Sequence, residues 1–101
     1  MISKHPKTLL VIIAEAALEK LLVRELRPLG AQGWTIGEVR GAGQERLREG
    51  AWEADRTIEM KIICEAAVAD AIAEHVLRNY ASHYSIEMYF SSVAVLRPQR
   101  Y

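Results

Sequence analysis

Apolar positions change their spacing several times along this chain, and each change marks an element. Thr8-Leu9-Leu10-Val11-Ile12-Ile13-Ala14 is apolar at nearly every position and rich in β-branched residues, which suits a strand covered on both faces. From Ala16 the apolar positions become Leu18, Leu21, Leu22, Leu26 and Leu29, with Glu19, Lys20, Arg24, Glu25 and Arg27 on the other side. That is a helical stripe, ended by Pro28 and Gly30. After the turn Gly30-Ala31-Gln32-Gly33, a short second strand spans residues 34–40. Ile58, Met60, Ile62 and Cys64 then alternate with Glu59 and Lys61, predicting a third strand over residues 57–64 that is hairpin-paired with the second. Residues 65–79 are alanine-rich, with Ala69, Ile72, Ala73, Val76 and Tyr80 spaced for one face of a second helix. A polar break follows. Residues 86–96 alternate Met88, Phe90, Ser92, Ala94 and Leu96 with Glu87, Tyr89, Ser91, Val93 and Val95 as a fourth strand, stopped by Pro98.

The order βαββαβ predicts an α+β, ferredoxin-like fold over residues 1–101 as one domain. Right-handed crossovers place both helices on one face of a four-stranded antiparallel sheet. The other face then has no cover from the same chain. The first strand is apolar on both sides, and the fourth adds Tyr89, Val93 and Val95, a patch larger than a monomer normally leaves in water. Copies of the same chain are the expected cover.

Between the second and third strands lie about 16 residues, 41–56, where a hairpin needs only two to five. This stretch carries Arg46, Arg48 and Arg56 against Glu45, Glu49, Glu53 and Asp55, with Gly41, Gly43, Gly50 and one large aromatic, Trp52. Connections of that length in compact domains tend to be functional or disordered. Its glycines and few apolar residues predict that it becomes ordered on binding ligands.

The 101 residues are 50% hydrophobic and 26% charged, within the range of soluble globular domains. Thirteen basic residues cancel thirteen acidic ones, so no global field draws the chain onto nucleic acid or an anionic membrane. The apolar run after Lys7 is too short for a signal peptide or a membrane span, and a cytoplasmic location is expected. The lone Cys64 rules out an internal disulfide and a cysteine-based zinc cage, and its apolar surroundings predict a buried, inert thiol. His75, His83 and Glu87 are too scattered to make a metal site and read as surface residues. Nothing combines a nucleophile with a base and an orienting third group, so neither enzyme activity nor a catalytic cofactor is expected.

Gly33-Trp34-Thr35-Ile36-Gly37-Glu38-Val39-Arg40-Gly41-Ala42-Gly43 closely resembles the G-x-T-[VI]-x-E-V-[KR]-G-x-G segment of the PII signalling proteins. It stands where they carry it, after the first helix and before their long T-loop, here residues 41–56. The resemblance runs on through the third strand, the second helix and a fourth strand ending in Arg97-Pro98-Gln99-Arg100, over roughly residues 8–100. It implies a homotrimeric regulatory protein with adenine nucleotide bound in clefts between subunits and the T-loop as effector. It puts Thr35 beside the adenine, and Gly41, Ala42, Gly43 and Gln44 where backbone approaches the phosphates. Lys61 and Ile63 lie nearby on the third strand, and Arg97 and Arg100 reach phosphates from a neighbouring subunit. The chemistry suits those roles: glycines allow close approach and outward N–H groups, and guanidinium groups bind phosphate through paired charge-assisted hydrogen bonds.

Three departures from the signalling proteins matter. Ser82-His83-Tyr84-Ser85-Ile86 stands in place of their glycine-lysine B-loop, so ADP, AMP and ATP are all candidate ligands. The T-loop lacks the tyrosine that those proteins modify, and Thr57 replaces the lysine that helps bind 2-oxoglutarate, with Arg56 beside it. A short, arginine-bearing T-loop is similar to that of PII-like proteins encoded with carboxysomes or bicarbonate transporters. That likeness implies bicarbonate as co-ligand, bound by Gly41, Gly43, Gln44, Arg46 and Arg56, and a transporter or carboxysome component as the T-loop's partner. Two other readings share the element order. An RNA-recognition module would need stacking aromatics on the central strands, where Glu59, Lys61 and Ile63 stand instead. A metal- or metabolite-binding trimer would need a ligand cluster that the sequence does not offer.

Overall fold

The computed structural model describes residues 1–41 and 56–101. Strand β1 is His5–Glu15, followed by a 3₁₀ turn, Ala16–Leu18, and helix α1, Glu19–Leu26. Then come β2, Thr35–Val39, and β3, Thr57–Cys64. Helix α2, Ala66–Asn79, leads to β4, Ile86–Val95, and a closing 3₁₀ turn, Pro98–Arg100. The sheet is antiparallel throughout, in the order β2-β3-β1-β4. The chain thus has the α+β ferredoxin-like architecture that the element order predicts.

Strand alternation sorts the side chains onto two faces. Leu10, Ile12 and Ala14 of β1, with Ile58, Met60, Ile62 and Cys64 of β3, point toward the helices and meet Leu18, Leu22, Leu26, Ala69, Ile72 and Val76 in one buried core. The helical stripe differs from expectation at one residue. Leu21 is 39% exposed, because three buried leucines spaced at four residues already fill the contact that α1 makes. Trp34 precedes β2 rather than opening it; it packs against the core, with the Arg27 guanidinium 5.0 Å from its ring centroid, a cation–π arrangement.

Helix α1 ends as the Pro28 and Gly30 signals require. Pro28 has no N–H to extend the ladder, and Gly30 adopts φ +115°, which side-chain-bearing residues rarely adopt. Gly30 N–H donates to the Arg27 carbonyl at 2.9 Å and Ala31 N–H to the Leu26 carbonyl at 3.0 Å, the paired bonds of a Schellman motif. A Cβ at Gly30 would also lie 3.0 Å from Val68 Cγ2 of α2.

The face away from the helices carries Lys7, Leu9, Val11 and Ile13 of β1, Glu59, Lys61 and Ile63 of β3, and Glu87, Tyr89, Ser91 and Val93 of β4. Among the described residues no helix covers it, but it is less bare than the alternation suggests. Val11 is 1% exposed within a single chain, between its cross-strand neighbours Lys61 and Tyr89, and Val95 is buried as well. Long neighbouring side chains fold over a short central one. Tyr89 remains 51% exposed.

Candidate functional site

Cross-strand register places the predicted ligands that stand on strands. Thr35, the first residue of β2, pairs with Lys61, which pairs in register with Val11 through β3 and β1, and Val11 with Tyr89 on β4. Thr35 and Lys61 are both exposed on the open face, and the Lys61 ammonium lies 3.5 Å from the Glu59 carboxylate. Ile63 is half-buried beside Leu9 in the adjoining row. The next row toward segment 41–56 holds Gly37, Glu59, Ile13 and Glu87.

Beyond that row the sheet ends with Val39 opposite Thr57 and Thr57 opposite Glu15. Gly41 and Arg56 stand just past this edge, both exposed. The Arg56 carbonyl accepts Ala16 N–H at 2.9 Å, and its guanidinium pairs with Glu38 at 2.9 Å. Ser85 N–H donates to the Glu15 carboxylate at 2.9 Å, so the turn before β4 belongs to this same end. Ala42, Gly43, Gln44 and Arg46 lie outside the described residues, as do Arg48 and Trp52.

Arg97 and Arg100 lie at the opposite end of the sheet. They follow Val95, which pairs with His5, the first residue of β1. Ten residue steps separate His5 from Glu15, and at about 3.3 Å per residue that is roughly 33 Å. Both arginines are exposed, and Arg100 N–H donates to the Arg97 carbonyl at 3.1 Å in the closing turn. A single chain therefore gathers Thr35, Lys61 and Ile63 mid-face, Gly41 and Arg56 at one end, and Arg97 and Arg100 at the other.

Two clusters escape sequence reasoning. At the helix layer the Glu25 carboxylate of α1 accepts hydrogen bonds from His75 Nε2 of α2 and from the Tyr80 hydroxyl just past its end. Asn79 Nδ2 donates to the His75 carbonyl at 2.8 Å and lies 3.2 Å from His75 Nδ1. His75 is thus a helix-bridging residue rather than a free surface one. Partial burial pushes the Glu25 pKa up, but the hydrogen bonds from Tyr80 and His75 and the charges of His75 and Arg24 outweigh it, and the net shift is downward. The bond to Glu25, with desolvation adding to it, pushes the Tyr80 phenol up to about 12. The second cluster joins Lys7 to the Glu65 carboxylate and to the Tyr101 main-chain oxygen. The spacing of His75 and Asn79 at i, i+4 was the one local signal; Glu25 is 50 residues from His75 in sequence.

Cys64 is buried, and burial pushes its thiol pKa up, as its apolar run predicts. Among the described residues, no group of three or more His, Cys, Asp or Glu is placed to hold a metal ion, and no helix is long and apolar enough to cross a membrane.

The model of the family described as nitrogen regulatory protein P-II matches residues 7–100. The chain belongs to the P-II family. Among solved structures, a PII-like signalling protein from Thermus thermophilus is 35% identical, with a TM-score of 0.84 over 99% of each chain. CPII from Thiomonas intermedia, in a structure bound to ADP and bicarbonate, is 23% identical, with a TM-score of 0.85 over 99% of this chain and 98% of that one. The Bacillus subtilis GlnK–ATP complex is 18% identical, with a TM-score of 0.58 over 90% of this chain and 84% of that one. A comparison with curated proteins finds no match. The last two structures share the P-II fold with this chain.

Proposed function

We propose that this P-II family member is a non-enzymatic regulatory protein. It assembles as a homotrimer in the cytoplasm and binds ADP, AMP or ATP in the clefts between subunits, with bicarbonate as co-ligand. It signals the state of inorganic carbon metabolism through residues 41–56 to a bicarbonate transporter or carboxysome component. The observation that carries this reading is the division of the predicted phosphate ligands between opposite ends of one sheet. Gly41 cannot share a phosphate with Arg97 or Arg100 of its own chain across roughly 33 Å of strand, whereas two copies packed through their open faces can bring these ends together.

In that cleft the Thr35 hydroxyl takes the adenine edge, and Lys61 and Ile63 line the wall. Backbone N–H groups at Gly41, Ala42, Gly43 and Gln44 meet the phosphates, and the neighbouring copy's guanidinium groups complete the charge balance. CPII, whose structures contain ADP, AMP and bicarbonate, supports the choice of ligands on this fold. Bicarbonate would bind at Gly41, Gly43 and Gln44 with Arg46 or Arg56. Two anions side by side repel, so cooperativity requires that both fix the same arginine and backbone turn.

Calorimetric titration of ADP, AMP and ATP, each with and without bicarbonate or 2-oxoglutarate, tests the proposal. At least one nucleotide should bind, more tightly with bicarbonate and unaffected by 2-oxoglutarate. No heat and no thermal shift with any nucleotide overturns it. Equal affinity with and without bicarbonate removes the carbon-sensing half alone.

A further inference from the structure

Lys7 is the one lysine whose side chain is nearly buried among those in ion pairs at the described residues, at 8% exposed against 55% for Lys61. A buried ammonium is costly unless it is paired and hydrogen-bonded, so its partners indicate what it is for. It lies on the open face of β1 at the His5 end, opposite Val93 of β4. Its ammonium donates to the Glu65 carboxylate, at the residue that precedes α2, and reaches the Tyr101 main-chain oxygen at 3.4 Å.

Tyr101 is not an incidental acceptor. Its N–H donates to the Pro98 carbonyl at 3.2 Å and Arg100 N–H to the Arg97 carbonyl at 3.1 Å, so residues 97–101 form one folded turn. The Arg97 and Arg100 side chains project from that turn into water. The Lys7 ammonium holds the backbone of this turn from the sheet side, and Glu65 holds the ammonium from the other. Long exposed arginines bind phosphate well only when the backbone beneath them is already placed, since each otherwise loses its freedom on binding.

We infer that Lys7, braced by Glu65, is a positioning residue for nucleotide binding: it pins the 97–101 turn to the sheet so that Arg97 and Arg100 are presented to the phosphates of a nucleotide held by a neighbouring copy. This rests on the function proposed above. Lys7 itself touches no ligand and acts through the turn.

The test compares wild type, Lys7→Met, Glu65→Gln and Arg97→Ala/Arg100→Ala, with each single change also made in the arginine-free background. ADP and adenosine affinities are measured by calorimetry, and amide exchange is followed at Arg100 and Tyr101 without nucleotide. Methionine keeps the apolar stem and removes the charge; glutamine at the exposed Glu65 is the milder change. Lys7→Met should weaken ADP by about tenfold, the factor by which losing one charge-assisted hydrogen bond lowers the population of the binding-competent turn. Adenosine affinity should not change. Glu65→Gln should act in the same direction by less, both effects should vanish in the arginine-free background, and exchange at Arg100 and Tyr101 should speed up. Unchanged ADP affinity, or an equal loss with and without the arginines, overturns the inference while wild-type ADP binding still supports the proposed function. A wild type that binds none of ADP, AMP and ATP overturns the function and the nucleotide role of Lys7 together, and unchanged exchange in Lys7→Met refutes the pinning by itself.

Discussion

The Tyr80 hydroxyl donates a hydrogen bond to the Glu25 carboxylate and so ties the end of α2 to α1. The bond favours the phenol over the phenolate, which is why the Tyr80 pKa rises from 10.0 to about 12. A raised pKa contributes stability that is present below the unfolded value and lost as pH climbs through the folded one. Denaturant midpoints should therefore fall between pH 10 and about 12 in wild type, and Tyr80→Phe should lack that alkaline step. At neutral pH Tyr80→Phe should cost about 1 kcal/mol, below the usual range for a bond to a charged acceptor because Glu25 is partly solvated.

Glu25 has the opposite sign. Its folded pKa lies below 4.5, so its contribution is present above that value and disappears as pH falls through the lowered one. Acid titration of Glu25→Gln should show a shallower loss of stability below pH 4.5 than wild type. Superimposable acid limbs would show that Glu25 is not linked to folding.

Arg56 faces a competitor for any small anion, since Glu38 already pairs with it at 2.9 Å. Both side chains are more than half exposed, so the pair is worth at most about 1 kcal/mol of stability. Glu38→Gln should leave the melting temperature nearly unchanged while strengthening the bicarbonate effect on nucleotide affinity; Arg56→Gln should abolish that effect. If Arg56→Gln responds to bicarbonate like wild type, Arg56 is not an anion ligand.

Arg97→Ala or Arg100→Ala should weaken ADP by about 1.5–3 kcal/mol, a charge-assisted bond to phosphate, without changing the oligomer. Mixing the Arg97→Ala/Arg100→Ala chain with a Gly41→Pro chain before reassembly should restore some sites if the ligands come from different copies. No recovery after verified mixing would argue for a site within one chain.

Assembly is best probed at Val93 rather than Val11. Val11 is already buried within one chain, so a charge there would damage the fold itself. Val93 is half-buried on β4, an edge strand of the sheet's open face. Val93→Asp should place a carboxylate in the contact between copies, opposite a Lys7 ammonium that Glu65 already engages, and give a monomer by light scattering, with near-native circular dichroism. A wild type that is itself monomeric at micromolar concentration removes the homotrimer.

The periodicity of apolar residues determined the element order, and with it the fold, because a period of two or of 3.6 commits each side chain to a face before any tertiary contact forms. Thr57 to Cys64 was legible to the residue for that reason. The strand ends were not: β1 extends to His5 because β4 is there to pair with it, which no local pattern reports. The Gly33–Gly43 segment pointed to the family, and the family model over residues 7–100 bears that out. Only the tertiary structure decided which candidate ligands share a chain-local neighbourhood. Register put Thr35 beside Lys61 and set Arg97 a sheet's length from Gly41, since pairing depends on hydrogen bonds between strands far apart in sequence. The same is true of Lys7 with Glu65 and Glu25 with Tyr80: a charged residue on a strand or helix reads as solvated until the fold brings its partner across 58 or 55 residues of chain.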